Sequence, residues 1–441
     1  MATIRPFRGV RYNPTKIADL SAVISQPHDR VRHGLQEKYY DASPYNIARL
    51  IKGKQNEHDT PQDNACTRAR DTYQNWLRDD ILIREEAPAL YVIRQTFTLP
   101  DGTVRIRQGL TAALELSPFD EGIVLPHERT LTKSMTERLD LLRATEVNFG
   151  SVFMLYPGTR INELLNQVTE RPPLVEAREL FEHEVLQQFW VVTDPQVINA
   201  IVEEMAPMKH LIIADGHHRY ETALLYQQEM QARFPDAPRN AAFNHRLVNL
   251  VSMDDPGLAI LPTHRLIRSH QNVSGAEVLE KANAYFDVTP MDSRQALEAA
   301  LEKVASQSTH VPYFGFHDGT SAVLTLKDDR MMKHLLPERI PEWRALDVAV
   351  VHELFIERVL GIDKEMIAEN GAVEFLRDSR MGYDAVDQNE AAFFLVMNPT
   401  RIEQVQACST AGERMPQKST DFYPKVISGL ISLPVGASET L

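Results

Sequence analysis

A polar cluster directly behind an apolar run is the first place in this sequence where chemistry is expected. Residues 211–226 read LIIADGHHRYETALLY. The apolar segment 211–214 predicts a buried strand, and apolar positions 220, 223 and 224 have the spacing of one helix face. The cluster is therefore predicted at a strand-to-helix turn. Unpaired backbone N–H groups at such a turn suit an anion such as phosphate.

Three interpretations of this cluster are open. In the first, Arg219 and the helix N-terminus hold a phosphate, with Asp215 and the histidines near the reacting group. In the second, Asp215, His217 and His218 bind a metal ion. In the third, Asp215 only caps the helix and the histidines hydrogen-bond within the fold. We favour a functional site because several polar residues coincide there and Gly216 permits close approach of the backbone.

Familiar phosphate and zinc motifs do not occur in the sequence. There is no GxxxxGK[ST] and no GxGxxG opening a helix, which argues against a P-loop or Rossmann nucleotide site. The pair HE occurs three times, but the second histidine of HExxH is replaced by Leu131, Gln187 and Ile356. Zinc-protease chemistry is therefore not expected, and we predict no tightly bound zinc.

The segment LPHERT at 125–130 supplies a candidate general base, Glu128, between His127 and Arg129. A substrate hydroxyl needs a proton acceptor within hydrogen-bond reach as it attacks phosphorus. The alternative is a surface salt-bridge cluster. Because neither polar cluster makes chemical sense alone, we expect a ligand-binding cleft where residues 125–130 approach residues 215–219.

Two further segments are candidates for binding an anionic substrate group. LPTHR at 261–265 contains His264 and Arg265. MPQKSTDFYPK at 415–425 contains Lys418, Ser419, Thr420 and Lys425. Such side chains suit a carboxylate or a phosphate, although a solvated loop has the same composition.

Composition and charge limit the class of protein and its partners. A chain of 441 residues suggests two or three domains. The net charge of -14, without a run of Lys and Arg, argues against nucleic acid as a partner. No apolar segment approaches the ~18 residues that cross a membrane. Cys66 and Cys408 form no motif and are expected as free thiols, so a cytoplasmic location is predicted. A homodimer is compatible with the sequence.

Helical and strand-like segments alternate along the chain, which predicts an α+β fold. A hairpin is expected at residues 89–116, around a turn at 100–103. After about residue 272, helices are predicted in GAEVLEKANAYF and SRQALEAALEKVASQ, and strands in VPYFGF, SAVLTLK and AAFFLVMNP. LDVAVVHELFIERVLG is predicted as an amphipathic helix. We divide the chain into an N-terminal α/β region at 1–115, a core at 116–270 that contains both polar clusters, and a C-terminal α+β domain at 271–441.

ADGHHRYETAL closely resembles the phosphate-binding signature of ParB/sulfiredoxin-like domains, in the version found in free serine kinases. The resemblance implies a ParB/sulfiredoxin-like nucleotide-binding core at 116–270. It also implies that this strand–turn–helix holds nucleotide phosphates and that an upstream glutamate is the general base. LPHERT looks like that upstream element, which gives the base role to Glu128. Asp215 and His218 then join it as catalytic residues. The phosphates are assigned to four residues: Gly216, His217, His218 and Arg219. Asp215 would also hold Mg²⁺ that enters with the nucleotide.

The whole chain also resembles a large prokaryotic family, the domain of unknown function one thousand and fifteen. IRPFRG, VLPHERTL, ADGHHRYETAL, LPTHR and MPQKSTDFYPK lie in family order over nearly the full length. Seven substrate-binding residues are predicted from these segments: His127, Arg129, His264, Arg265, Lys418, Ser419 and Thr420. One departure is QPHDRV, where the family usually has a tyrosine and this chain has His28, so a role of that tyrosine does not carry over.

The resemblances imply a ParB/sulfiredoxin-like kinase that uses ATP or ADP, with Mg²⁺, to phosphorylate a small hydroxylated metabolite. Free L-serine is the lead candidate. A phosphatase or nucleotide hydrolase with the same phosphate cradle is the first alternative, since water can replace the hydroxyl. A non-enzymatic, nucleotide-gated binding protein is the second.

Overall fold

The structure is a computed structural model that describes residues 1–128, 133–182, 184–268, 273–305, 311–363, 366–367 and 371–441. The chain divides into two compact units. Unit 1 consists of Met1–Pro126, Thr130–Ala259 and Pro424–Leu441, and unit 2 consists of His127–Arg129 and Ile260–Tyr423. The predicted boundaries at residues 115 and 270 stay predictions.

Most strands of unit 1 belong to one mixed sheet. The strands of unit 1 are β1 (Ile4–Arg5), β2 (Val10–Tyr12), β3 (Leu82–Arg84), β4 (Leu90–Thr98), β5 (Val104–Glu115), β6 (Val124–Pro126), β7 (Val147–Asn148), β8 (Val152–Tyr156), β9 (Val175–Arg178), β10 (Leu186–Val192), β11 (Leu211–Asp215), β12 (His245–Ser252) and β21 (Leu433–Pro434). Within the described residues the sheet has the order β6-β11-β8-β12-β5-β4-β10-β9, with β1 beside β5. β11 runs parallel to β6 and antiparallel to β8.

The helices of unit 1 are α1 (His33–Ala42), α2 (Ala48–Ile51), α3 (Ala65–Arg78), α4 (Lys133–Thr145), α5 (Arg160–Thr169), α6 (Pro195–Met205) and α7 (His217–Arg233). Both faces of the large sheet are buried. Leu90 and Val92 of β4 lie in one apolar cluster, and Tyr91 and Ile93 lie in the other. This follows from the alternation of side chains along a strand. The predicted hairpin is confirmed, since β4 and β5 pair antiparallel.

Unit 2 contains a second, antiparallel sheet. Its strands, with β13 beginning in unit 1, are β13 (Ala259–Leu261), β14 (His264–Ile267), β15 (Phe286–Met291), β16 (Tyr313–His317), β17 (Ser321–Leu326), β18 (Val373–Leu376), β19 (Phe393–Val396) and β20 (Asp421–Tyr423). Among the residues described, the main sheet has the order β15-β17-β16-β19-β14-β18. The strands predicted in VPYFGF, SAVLTLK and AAFFLVMNP are confirmed as β16, β17 and β19.

The helices of unit 2 pack on this sheet and on one another. They are α8 (Gly275–Ala282), α9 (Arg294–Ala305), α10 (Arg330–Leu335), α11 (Pro341–Arg344), α12 (Asp347–Val350), a π-helix (Val351–Val359), α13 (Ser379–Asp387) and α14 (Ile402–Thr410). The helix predicted in LDVAVVHELFIERVLG is confirmed in position, but most of it is wound as the π-helix. Local pattern does not distinguish the two windings.

The protein is therefore an α+β protein, as predicted. Within the described ranges, no helix combines the length and the apolar character that a membrane span requires.

Candidate functional site

The predicted strand-to-helix turn is present between β11 and α7. β11 ends at Asp215, Gly216 follows with a φ of 97°, and α7 begins at His217. A positive φ favours glycine, and a Cβ built at Gly216 would lie 2.9 Å from Nε of Arg219. The N-cap residue of α7 is Gly216, which has no side chain to cap the helix, and Asp215 lies one residue before it. The interpretation of Asp215 as a simple helix cap stays open.

Asp215 lies between two cations. Its Oδ2 accepts a hydrogen bond from Nη2 of Arg219, and its Oδ1 lies 3.1 Å from Nζ of Lys425. Burial raises the pKa of Asp215, but the charges of Lys425 and then Arg219 outweigh it and hold that pKa well below its usual range. The carboxylate is therefore ionised at neutral pH.

The two histidines that follow Asp215 lie in the first turn of α7. His217 is buried and contributes to the low pKa of Asp215 through its charge. His218 is half-buried, and its carbonyl oxygen accepts a hydrogen bond from the hydroxyl of Thr222 at 2.7 Å. Their predicted roles toward phosphate stay predictions.

A pocket with about 560 Å³ of empty space lies in unit 1 at Arg219. Its polar lining includes His28, Arg138, Arg219, Arg246 and Ser428, and its apolar lining consists of Pro27, Ile51, Leu141, Leu142, Val147 and Phe149. The lining combines positive charge with apolar surface, as the linings of small-molecule sites do. A ligand with an anionic group and an apolar or aromatic part is complementary to it.

The three pocket arginines have N–H groups to spare. Arg219 donates to the carbonyl oxygen of Ser151, and Arg246 donates to that of Gly150. Nε of Arg219, Nε of Arg246, and Nε and Nη1 of Arg138 are buried and have no hydrogen-bond partner among the described residues. Buried donors normally have partners, so these groups are complementary to an anionic ligand.

The charges of these arginines also favour an anionic ligand. Burial lowers the pKa of Arg246 well below its usual range, and the positive charges of Arg219 and Arg138 lower it further. Burial likewise lowers the pKa of Arg138, and Arg219 adds to the effect. Three like charges in one pocket repel one another, and a bound anion relieves that repulsion.

The segment QPHDRV also reaches this pocket, through Pro27 and His28. Burial and the charges of Lys52 and Arg138 lower the pKa of His28 to about 4, so its ring is neutral at pH 7. Partial removal from water raises the pKa of Asp29, but Arg219 and Arg138 outweigh it and the pKa is lowered. Asp29 therefore adds a negative charge that offsets only part of the positive charge.

Arg138 and Arg246 are not among the residues predicted from the sequence. Arg138 lies on α4 and Arg246 lies on β12, and both read locally as ordinary polar residues of a helix and a strand. They meet Arg219 only through the packing of α4, β12 and α7 in unit 1. No local sequence signal identifies them.

The other predicted residues lie in unit 2, where several of them come together. Nε2 of His127 lies 2.7 Å from Oγ1 of Thr420 and 3.9 Å from Oε1 of Glu128. That Glu128 oxygen is buried and has no hydrogen-bond partner in the part of the chain described. Its availability fits a proton acceptor, and the role of Glu128 as base stays a prediction.

Arg265 is fully buried beside this group. It donates to the carbonyl oxygens of Thr263 and, at 3.1 Å, Lys418, and its Nε lies 3.2 Å from Nε2 of His352. Burial lowers its pKa to about 9, and the charge of Glu128 raises it. With all three nitrogens engaged inside the fold, Arg265 holds the Lys418 loop in place.

The remaining predicted residues differ in position. The carbonyl oxygen of Ser419 accepts a hydrogen bond from the hydroxyl of Thr400 at 2.6 Å. His264 alternates with Arg265 along β14, and its Nδ1 accepts a hydrogen bond from the backbone of Met397 at 3.0 Å. The structure therefore does not bring His264 together with Arg265. Arg129 lies outside the described residues.

The donor set around Asp215 does not fit a bound Mg²⁺. Mg²⁺ requires nearly octahedral oxygen ligands, and each oxygen of Asp215 already faces a cation. Across the described ranges, no group of three His, Cys, Asp or Glu side chains is placed to hold a metal ion.

The α+β fold thus places a cluster of three arginines beside a strand-to-helix turn. The family of the chain is shown by sequence: a family model described as "Protein of unknown function" (DUF1015) matches residues 4–349. The chain belongs to this family, which confirms the predicted membership. No curated protein matches the sequence.

Several solved structures are similar at low scores. A free serine kinase in complex with AMP has a TM-score of 0.36 and 11% identity, covering 76% of this chain and 93% of the kinase. A conserved hypothetical protein from Pyrococcus furiosus has a TM-score of 0.34 and 12% identity, covering 76% and 97%. SbnI with C-terminal truncation from Staphylococcus aureus has a TM-score of 0.33 and 10% identity, covering 73% and 87%. At these scores the likenesses support no statement about the site of this chain.

Proposed function

We propose that this protein binds a nucleotide and transfers its terminal phosphoryl group to a small hydroxylated metabolite. The observation that carries the proposal is the set of buried, unpartnered guanidinium N–H groups of Arg138, Arg219 and Arg246 in a pocket with apolar lining. Phosphate groups satisfy such donors, and the organic part of a nucleotide suits the apolar lining. ATP and ADP are both candidates, and free L-serine remains the lead acceptor because of the sequence resemblance.

The chemistry of the pocket residues is electrostatic. In phosphoryl transfer the acceptor oxygen forms a bond to phosphorus, and the bond from phosphorus to the leaving nucleotide oxygen breaks. Negative charge on the transferring group is stabilised by fixed positive charges, here the three arginines and the N-terminus of α7. Asp215 keeps Arg219 in place through their ion pair.

The acceptor hydroxyl loses its proton as it attacks, and Glu128 is the proposed proton acceptor. A carboxylate with an unpartnered oxygen can take that proton. No step of this scheme is assigned to a metal ion at Asp215, because the geometry there does not fit one.

Calorimetry with ADP, ATP and pyrophosphate tests the binding step, and phosphorus NMR of product with and without serine tests the transfer. We expect binding in each case and a phosphorylated product only when an acceptor is present. Inorganic phosphate formed at the same rate without acceptor would favour the hydrolase alternative. Absence of binding of all three ligands would contradict the proposal.

A further inference from the structure

Lys425 holds a position that the family match does not cover. The family model ends at residue 349, whereas Lys425 belongs to the C-terminal segment that returns to unit 1. Its Nζ lies 3.1 Å from Oδ1 of Asp215, on the oxygen that Arg219 does not contact. The side chains of Lys425 and Asp215 are only 12% and 16% exposed. Two protein cations therefore occupy this carboxylate.

A buried network fixes the backbone at Lys425. The carbonyl oxygen of Lys425 accepts a hydrogen bond from Nε2 of Gln95 at 3.1 Å, and that of Pro424 accepts one from Arg107. Gln95 and Arg107 are also hydrogen-bonded to each other and are almost completely buried. The main chain at Pro424 and Lys425 is thus anchored to two strands of the nine-stranded sheet.

The same network is tied to the strand that borders Asp215. The guanidinium group of Arg107 lies 4.6 Å from the centre of the Phe153 ring, and Phe153 pairs with Asp215 across β8 and β11. The Lys425 backbone and Asp215 are therefore held by neighbouring parts of one sheet.

We propose that Lys425 takes the place that a divalent cation would have on Asp215, so that phosphate binding here depends on protein cations and does not require a metal ion on that carboxylate. A metal at Asp215 would have to displace a mostly buried ion pair, which is unfavourable because it leaves an unpaired buried charge. This inference rests on the proposed function only in taking a phosphate as the ligand. Lys425 is a positioning residue for that ligand.

Two measurements on the full chain test the proposal. Calorimetry compares ADP affinity in excess Mg²⁺ and in excess EDTA, and electron paramagnetic resonance measures Mn²⁺ binding to nucleotide-free protein. For the wild type we expect ADP affinities in Mg²⁺ and in EDTA that agree within about threefold. We also expect no stoichiometric Mn²⁺ site that depends on Asp215.

Lys425→Met removes the charge and keeps most of the side-chain volume. Asp215 Oδ1 is then free, so we expect ADP affinity in EDTA to fall by roughly tenfold or more and to recover in part when Mg²⁺ or Mn²⁺ is added. Lys425→Arg keeps a cation and should stay metal-independent. Lys327→Met is the matched control, because Lys327 lies in unit 2 on an exposed ion pair with Asp287.

The outcomes separate the two proposals. Wild-type protein that binds ADP only with Mg²⁺ would overturn the role of Lys425 and leave nucleotide binding intact. A Mn²⁺ site in the wild type that Asp215→Asn abolishes would overturn it as well, whatever ADP does. Failure of ADP to bind under every condition would instead contradict the proposed function. Circular dichroism confirms that each variant is folded, and the comparison of wild-type protein in Mg²⁺ and EDTA needs no variant.

Discussion

Replacing Arg246 by methionine should weaken anion binding without the loss of stability that a buried arginine normally causes. Arg246 is 5% exposed, donates one hydrogen bond to Gly150, and has an Nε without a partner among the described residues. Its pKa is lowered by burial and by the charges of Arg219 and Arg138. In the ligand-free protein its charge is therefore a cost to folding, and a bound anion offsets that cost.

The expected size of the binding effect follows from one charged hydrogen bond. Such a bond contributes about 1.5–3 kcal/mol, so the affinity of Arg246→Met for pyrophosphate should fall by about 10- to 150-fold. At a pyrophosphate concentration of about 100 times the wild-type dissociation constant, the ligand stabilises the wild type by about 2.7 kcal/mol. At the same concentration it should stabilise the variant by only about 0.3–1.4 kcal/mol.

The stability of the ligand-free Arg246→Met variant should not fall along with its affinity for the anion. Losing the bond to Gly150 destabilises the protein, whereas removing one of three neighbouring positive charges stabilises it. These effects oppose each other, so the melting temperature without ligand should change little or rise. An arginine that served only a buried ion pair would cost about 3–5 kcal/mol when removed.

Calorimetry with pyrophosphate and thermal melts with and without it measure both quantities on one preparation. Arg233→Met is the control, since Arg233 is exposed and lies in the last turn of α7, at the end of the helix opposite to Arg219. Unchanged pyrophosphate affinity together with a much lower melting temperature would refute the assignment of Arg246 as an anion ligand.

Three further outcomes are expected. Arg219→Ala should weaken nucleotide binding by about 1.5–3 kcal/mol in calorimetry and also lower the melting temperature, because Arg219 holds both Ser151 and Asp215. Glu128→Gln should lower serine-dependent turnover by ~10²–10⁴-fold with unchanged nucleotide affinity; near-normal turnover would rule out the base role. Three histidines have a pKa lowered to about 4, mainly by burial: His28, His245 and His264. Because the unfolded chain binds these protons at higher pH than the folded chain does, stability should fall between about pH 6.5 and 4, by up to about 1.4 kcal/mol per pH unit for each histidine. Urea unfolding over that pH range measures the slope, and a flat profile would contradict it.

The local elements of the fold were accessible from the sequence because they depend on short-range periodicity. The strand at 211–214, the helix that follows it and the hairpin β4–β5 are present where the patterns predicted them. The turn between β11 and α7 was predictable for the same reason, since Gly216 and the polar residues around it are consecutive. The winding of 351–359 as a π-helix was not, because α- and π-helices share the same apolar stripe.

The anion pocket was only half accessible from the sequence. Arg219 belongs to the conspicuous motif, but Arg138 and Arg246 are single arginines on a helix and a strand with no unusual neighbours in sequence. What distinguishes them is that burial and mutual repulsion act on them together, and both effects arise only when α4, β12 and α7 pack in unit 1. Sequence patterns report which residues can bind an anion, whereas packing decides which of them are left without a partner.

The partner of Asp215 could not be predicted from the sequence either. A carboxylate after a strand, followed by glycine and two histidines, is equally suited to a metal ion and to a cation of the protein, so the motif alone cannot choose between them. The choice depends on which positive charge reaches the second oxygen. Here that charge is Lys425, which lies far along the chain and is placed by the buried contacts of Arg107 and Gln95 with the main chain at residues 424–425. If those contacts set the position of Lys425, then weakening them should have the same effect as removing its charge: Gln95→Leu should make ADP affinity more dependent on Mg²⁺, in the direction expected for Lys425→Met but by a smaller factor.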